Sequence, residues 1–89
     1  MKIIKPASAG TMESSDAYIE IEPAENGINL QLESVVMDQF GEDIRQTVRE
    51  VLADMSVENA NIRLIDRGAL DCVIRARLEA AVLRGGENV

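Results

Sequence analysis

Asp16-Ala17-Tyr18-Ile19-Glu20-Ile21-Glu22, then Pro23-Ala24-Glu25-Asn26-Gly27, then Ile28-Asn29-Leu30-Gln31-Leu32-Glu33 is the stretch that decides the fold class. On either side of the central five residues, apolar and polar side chains alternate with a period of two. Ala17, Ile19 and Ile21 face one way, as do Ile28, Leu30 and Leu32; Tyr18, Glu20 and Glu22 oppose the first set. That period is the mark of half-buried strands. Asn26-Gly27 supplies the left-handed backbone that a tight turn needs, so the two strands are expected to pair as an antiparallel hairpin.

Downstream the period changes. Met37, Phe40, Ile44, Val48, Val51, Leu52 and Met55 recur at helical spacing, with Asp38, Glu42, Arg45, Gln46, Arg49 and Glu50 opposite. An amphipathic helix is predicted over 36–55, starting at Glu42 if Gly41 breaks it. Asn61 to Asp66 reads as a third strand with Ile62 and Leu64 inward. Arg67-Gly68 turns the chain. A final helix is expected from Ala69 to about Arg84, capped by Asp66 or Gly68 and stopped by Gly85-Gly86. The order β-β-α-β-α predicts a small single α+β domain, with about three strands and two helices on one face of the sheet.

Upstream, residues 1–15 are small and polar, and Pro6 and Gly10 interrupt any periodicity. They read as an extended, partly mobile arm. In the final helix, Leu70, Ile74, Leu78 and Ala81 form one apolar stripe. Cys72, Val73, Ala76, Ala80 and Leu83 form a second, covered either by the folded-back arm or by another subunit.

Composition narrows the function. A chain of 89 residues makes one domain, and with Phe40 and Tyr18 as its only aromatics the core must be aliphatic. Residues 1–44 carry two lysines against nine acids, and residues 45–89 seven arginines against seven acids, so the net charge of −7 lies in the first half. Phosphate repels such a surface, which opposes nucleic acid binding and favours a basic protein partner. No apolar run is long enough to span a bilayer, and none beyond Ile3-Ile4 follows Lys2 and Lys5 as a secretory signal would. A single cysteine precludes an internal disulfide. A soluble cytoplasmic protein is expected.

Histidine is absent, which removes imidazole acid–base chemistry, His metal ligation and Ser–His or Cys–His catalysis. No Gly-rich phosphate loop is present. Cys72, on a helix among alanines, reads as a small buried residue rather than a nucleophile. Glu20 and Glu22 on alternating strand positions read as a solvated face rather than a cation site. No catalytic and no metal-binding residue is predicted. What remains is Gly10-Thr11-Met12-Glu13-Ser14-Ser15-Asp16, which presents two hydroxyls between two carboxylates ahead of a strand. A chain with so little catalytic equipment takes part in chemistry most simply by carrying a group.

Pro6 through Asp16, Gln39-Phe40-Gly41 with Ile44-Arg45, and Arg67-Gly68-Ala69-Leu70-Asp71-Cys72-Val73-Ile74-Arg75-Ala76-Arg77-Leu78-Glu79 together resemble the acyl carrier (gamma) subunit of citrate lyase. The resemblance runs over nearly the whole chain. It implies a non-catalytic carrier with residues 1–15 as a flexible arm bearing the attachment serine and 16–86 as the single α+β acyl carrier domain. It implies 2'-(5''-phosphoribosyl)-3'-dephospho-CoA covalently attached to Ser14, directly after Glu13; Ser15 stands where the family often has glycine. The thiol of that group carries acetyl and citryl thioesters while citrate is cleaved to acetate and oxaloacetate. Implied partners are a larger alpha subunit (acyl transferase), a larger beta subunit (citryl lyase) and a transferase that loads the prosthetic group. Two other readings stand beside it: the carrier subunit of malonate decarboxylase, which has a related Ser-Gly-Asp arm, and an unmodified acidic assembly module. Glu13 and Asp16 are expected either to repel the anionic precursor or to steer the carrier onto basic surfaces.

Overall fold

Eight elements follow one another in the computed structural model, which describes residues 1–87. They are β1 (Lys2–Ile3), β2 (Ala7–Gly10), β3 (Ala17–Glu22), β4 (Ile28–Ser34), α1 (Met37–Asp54), β5 (Ala60–Asp66), α2 (Asp71–Gly85) and β6 (Gly86–Glu87). Four strands form the main sheet in the order β2-β3-β5-β4, and β1 pairs with β6 in a small second ladder. The α+β class and the helices agree with the sequence pattern. Ala17, Ile19 and Ile21 of β3 and Ile62 and Leu64 of β5 are buried in one cluster with Ile44, Val48, Val51 and Leu52 of α1 and Ile74, Leu78, Ala81 and Val82 of α2.

Strand order departs from the expected hairpin. β5 lies between β3 and β4, antiparallel to the first (Ile19 opposite Leu64) and parallel to the second (Leu30 opposite Ile62). The Asn26-Gly27 turn is present, with Gly27 at φ 74°. Its polar groups do not close a two-strand loop, however. The Gly27 N–H donates to Asn59 Oδ1 (2.7 Å), and the Gly27 carbonyl accepts from the Ala60 N–H (3.1 Å). The turn therefore straddles the start of β5. What decides the order is that β5 buries Ile65 and Asp66 as well as Ile62 and Leu64, so it belongs at the centre of the sheet.

Residues 1–10 contribute two strands to the fold rather than forming a free arm. β2 pairs antiparallel with β3, Ala9 opposite Ile19, and adds a fourth strand to the sheet. Ile4 and Lys5 donate backbone N–H groups to the Gly85 carbonyl, and the Met1 ammonium donates to the carbonyls of Met55 and Ser56. Small residues make this possible. A Cβ on Gly85 would lie 2.9 Å from the Lys5 carbonyl oxygen and 3.2 Å from Ala7 Cβ. α2 thus approaches β2 too closely for larger side chains, and the same small residues give β2 a weak strand signal.

Other differences are local. α1 runs unbroken through Gly41, which is buried. Phe40, Met37 and Leu70, in phase with the core stripes, are exposed. Cys72 is exposed too, because it lies two residues, about 200° of helix, from the buried Ile74. Ala76 and Leu83 of the second α2 stripe are also exposed, while Val73 and Ala80 are half-buried, so the stripe is covered only in part. Arg75 pairs with Asp71 one turn earlier in α2 (2.7 Å) and, between the helices, with Glu50 of α1, while Thr47 of α1 donates its hydroxyl to Asp71. The Arg75 guanidinium holds Glu50 below its ordinary pKa; the Thr47 hydroxyl, then Arg75, does so for Asp71.

Candidate functional site

Ser14 lies in the six-residue loop Thr11–Asp16 that joins β2 to β3. The Asp16 N–H donates to the Glu13 carbonyl (3.2 Å), closing a turn in which Ser14 and Ser15 are the two central residues. Ser15 has φ 65°, and Ser14 has no positive φ. That pattern is a type II turn, whose second central position favours glycine. Here a serine occupies it. A left-handed residue with a side chain costs about 1–2 kcal/mol, whereas glycine adds about 0.4–1 kcal/mol of unfolded-state entropy. Ser15→Gly is therefore expected to stabilise the fold by roughly 0.5 kcal/mol, a rise in Tm of about 2–4 °C by thermal denaturation.

The base of the loop is locked to the body of the protein. Asp16 takes two parallel hydrogen bonds from Arg77 of α2, Nε to Oδ1 and Nη2 to Oδ2, each 3.0 Å. The Thr11 hydroxyl donates to Oδ2 (2.6 Å) and the Ala17 N–H to Oδ1 (2.7 Å). The Ser15 N–H donates to the Arg67 carbonyl and the Arg67 N–H to the Asp16 carbonyl, both 2.9 Å. Ser14 is at the apex: its side chain is exposed, and among the described residues its hydroxyl has no hydrogen-bond partner. The arrangement holds the loop by its base and leaves two primary hydroxyls exposed at its tip, those of Ser14 and Ser15, neither with a hydrogen-bond partner among the described residues.

Asp16 changes meaning in this setting. Its carboxylate side chain is 14% exposed, and the bidentate pair with Arg77 is the geometry that binds carboxylates best. Arg77, then the Thr11 hydroxyl and the Ala17 N–H, hold its pKa far below the usual carboxylate range. The Arg77 charge offsets it locally, so neither repulsion of an anion nor steering of a partner falls to Asp16; of the two flanking acids, Glu13 alone is exposed. Because the folded-state pKa is depressed, the stabilisation is complete above the ordinary aspartate value of about 4. It is lost as pH falls through the folded value. In urea denaturation, the stability gap between wild type and Asp16→Asn is expected to be constant above about pH 5 and to narrow below about pH 4. A gap that does not change with pH would show that the carboxylate charge contributes nothing.

The sequence places Gly10 and Thr11 in the stretch singled out but gives neither a role, and it does not point to Arg77 at all. Arg77 is 61 residues from Asp16, and no local pattern pairs them. Gly10 carries a readable signal, a glycine just before the loop. Its φ is 93°.

The remaining candidates separate from the loop. Glu20 is paired with Arg63 at 2.7 Å across the open face of the sheet. Asp66, only 1% exposed, accepts from the Ser34 hydroxyl (2.8 Å) and the Ala69 N–H (2.9 Å), fixing the turn into α2. Among the described residues no group of three or more His, Cys, Asp or Glu side chains is placed to hold a metal ion, and no helix is long and apolar enough to cross a membrane. A groove between β4 and α1, with Ile28, Leu30, Val48 and Leu52 along it and Arg45 and Arg49 at its rim, includes no residue of the Thr11–Asp16 loop.

Known proteins share both the sequence and the fold. The family model of the malonate decarboxylase delta subunit, an acyl carrier protein, matches residues 4–85. Citrate lyase acyl carrier protein 2 of Salmonella typhimurium is 57% identical over 89 residues, covering 99% of this chain and 92% of that one. The citrate lyase acyl carrier protein of Lactococcus lactis is 54% identical over 87 residues, 98% of this chain and 91% of that one. In the crystal structure of a Pseudomonas malonate decarboxylase hetero-tetramer in complex with malonate, one chain superposes with a TM-score of 0.77 at 26% identity, over 97% of this chain and 93% of that chain.

Proposed function

The chain belongs to the citrate lyase acyl carrier protein family, and from that premise we propose that it is the acyl carrier subunit of a citrate lyase, loaded on Ser14. What supports Ser14 is an exposed, unpartnered hydroxyl in a turn whose base is clamped by Asp16 and Arg77, a setting that Ser15 shares, together with its place directly after Glu13, which Ser15 does not share. A tether of any size fits there, because nothing packs over the hydroxyl and no hydrogen bond must be broken to substitute it.

The residues of this chain position rather than catalyse. Thr11, Asp16 and Arg77 keep the turn in one conformation, and Ser14 Oγ is the nucleophile that a loading transferase must deprotonate. Attack on the α-phosphorus of a triphosphate-bearing precursor forms the serine–phosphate bond, with pyrophosphate as the leaving group. The proton passes to a base of the transferase, since no imidazole exists in this chain. The group proposed for this serine is 2'-(5''-phosphoribosyl)-3'-dephospho-CoA, whose terminal thiol would supply the thioester chemistry when bound. Tethering gives the carried acyl group a high effective concentration at each partner site. The partners are an acyl transferase subunit and a citryl lyase subunit, and the location is the cytoplasm, where the exposed Cys72 stays reduced.

A carrier subunit of malonate decarboxylase is the second reading, favoured by the matching family model and the shared fold. The identity of 57% to a citrate lyase carrier, against 26% to the malonate decarboxylase chain, favours the first. The test is the intact mass of the protein purified from cells that also carry its loading enzymes and two larger subunits. A large covalent increment together with citrate-dependent oxaloacetate release supports the reading. An unmodified mass would overturn it in favour of an assembly module.

A further inference from the structure

Five large apolar side chains stand exposed at the end of the sheet that carries Ser14: Met12, Val35, Met37, Phe40 and Leu70. Backbone hydrogen bonds gather the loops that hold them. Val35 donates to the Asp66 carbonyl, Ser15 donates to the adjacent Arg67 carbonyl, and Phe40 donates to the Val36 carbonyl in the first turn of α1. Leu70 lies just beyond the same turn, immediately before α2. Leu70 is 71% exposed, Val35 61% and Phe40 48%, although Phe40 and Leu70 lie in phase with the buried stripes of their helices. Their apolar character is not needed by the core. Around them are the exposed acids Glu13, Glu33 and Asp38, with Arg67 as one exposed cation. An apolar centre with a charged rim is the anatomy of a protein interface.

We propose that this cap is the surface on which the loading transferase seats. The inference rests on the assignment of Ser14 as the attachment residue. The reaction itself selects the occupant. To form a bond at Ser14 Oγ, the transferase must bring a phosphorus atom within about 3–3.5 Å of it. Its surface must therefore cover the apex and the side chains beside it. Partners that act on the far end of a tether have no such requirement. The charge pattern agrees: an enzyme that holds a polyphosphate has a positive mouth, which complements Glu13, Glu33 and Asp38.

The experiment is a loading time course with purified unmodified carrier, transferase and triphosphate precursor, read by intact mass. Phe40→Ala/Leu70→Ala is expected to raise the KM for the carrier tenfold or more, with kcat within twofold. Phe40→Met/Leu70→Met, which keeps apolar surface, is expected to restore most of that loss. Ile28→Ala/Leu83→Ala, at exposed apolar positions away from Ser14, is expected to behave as wild type. If the alanine double variant loses cooperative melting, Leu70→Ser alone gives the same reading, since Leu70 is outside the core cluster. Wild-type KM in the cap variants would sink the docking surface while leaving the Ser14 reading intact. A wild-type chain that is never loaded would sink both. Concentration-dependent self-association abolished by Leu70→Ser would assign the cap to a second copy of the chain and overturn the transferase.

Discussion

Ser14→Ala is expected to abolish covalent loading completely while leaving the fold intact. Intact mass would show the increment on wild type and none on the variant. The contrast is sharp because the two serines occupy different positions in one turn. Ser15 sits in the left-handed position, with its N–H tied to the Arg67 carbonyl. Ser14 precedes it at the first central position, and among the described residues neither hydroxyl has an internal partner. Removing an exposed hydroxyl without a hydrogen bond changes stability by no more than about 0.5 kcal/mol, so lost loading cannot be attributed to unfolding. Ser15→Gly serves as the companion variant. It deletes the second hydroxyl, suits the backbone at that position, and is expected to load fully. Loading of Ser14→Ala together with failure of Ser15→Gly would move the attachment to Ser15.

Much of this arrangement is legible in the sequence, and the illegible remainder has a common physical cause. The period of Ile44, Val48, Val51 and Leu52 yields α1, and that of Ile74, Leu78 and Ala81 yields α2, because burial of one stripe is a local property of a helix. The alternation of Ala17, Ile19 and Ile21 yields β3 for the same reason. Strand order is not local. Asn26-Gly27 is compatible with a tight hairpin, and only the burial of Ile65 and Asp66 beside Ile62 and Leu64 in β5 shows that a strand must enter between its arms. β2 is hidden because Ala7, Ser8, Ala9 and Gly10 are small, and they are small because α2 passes close by at Gly85. Ser14 is distinguished from Ser15 in the sequence only through the family resemblance, by its place directly after Glu13. The clamp that presents it joins Asp16 to Arg77 across most of the chain, and pairings of that length leave no periodic trace.

Gly10→Ala is expected to destabilise the domain by roughly 2–5 kcal/mol and to disorder the turn that presents Ser14. Two independent costs add. The backbone at Gly10 has φ 93°, a region that side chains avoid at a penalty of about 1–2 kcal/mol. A Cβ built there would also lie 1.9 Å from the Ala17 carbonyl oxygen, with Arg77 Cδ at 3.2 Å. Neither neighbour can withdraw without loss. The Ala17 carbonyl accepts the Thr11 N–H that closes the base of the loop, and Arg77 crosses beside Gly10 to reach both oxygens of Asp16. Crowding of this kind costs about 1–3 kcal/mol further. A small domain has about 5–10 kcal/mol in total, so Tm should fall by roughly 10 °C or more. Loading should fall with it even at temperatures where the variant remains folded, because the displaced Arg77 releases Asp16 and the turn loses its anchor. Arg77→Ala, which frees Asp16 without crowding the backbone, separates the two effects. It should slow loading with a smaller loss of Tm than Gly10→Ala. Equal Tm losses in the two variants, with loading intact in both, would show that the glycine serves the fold alone and that the clamp does not position Ser14.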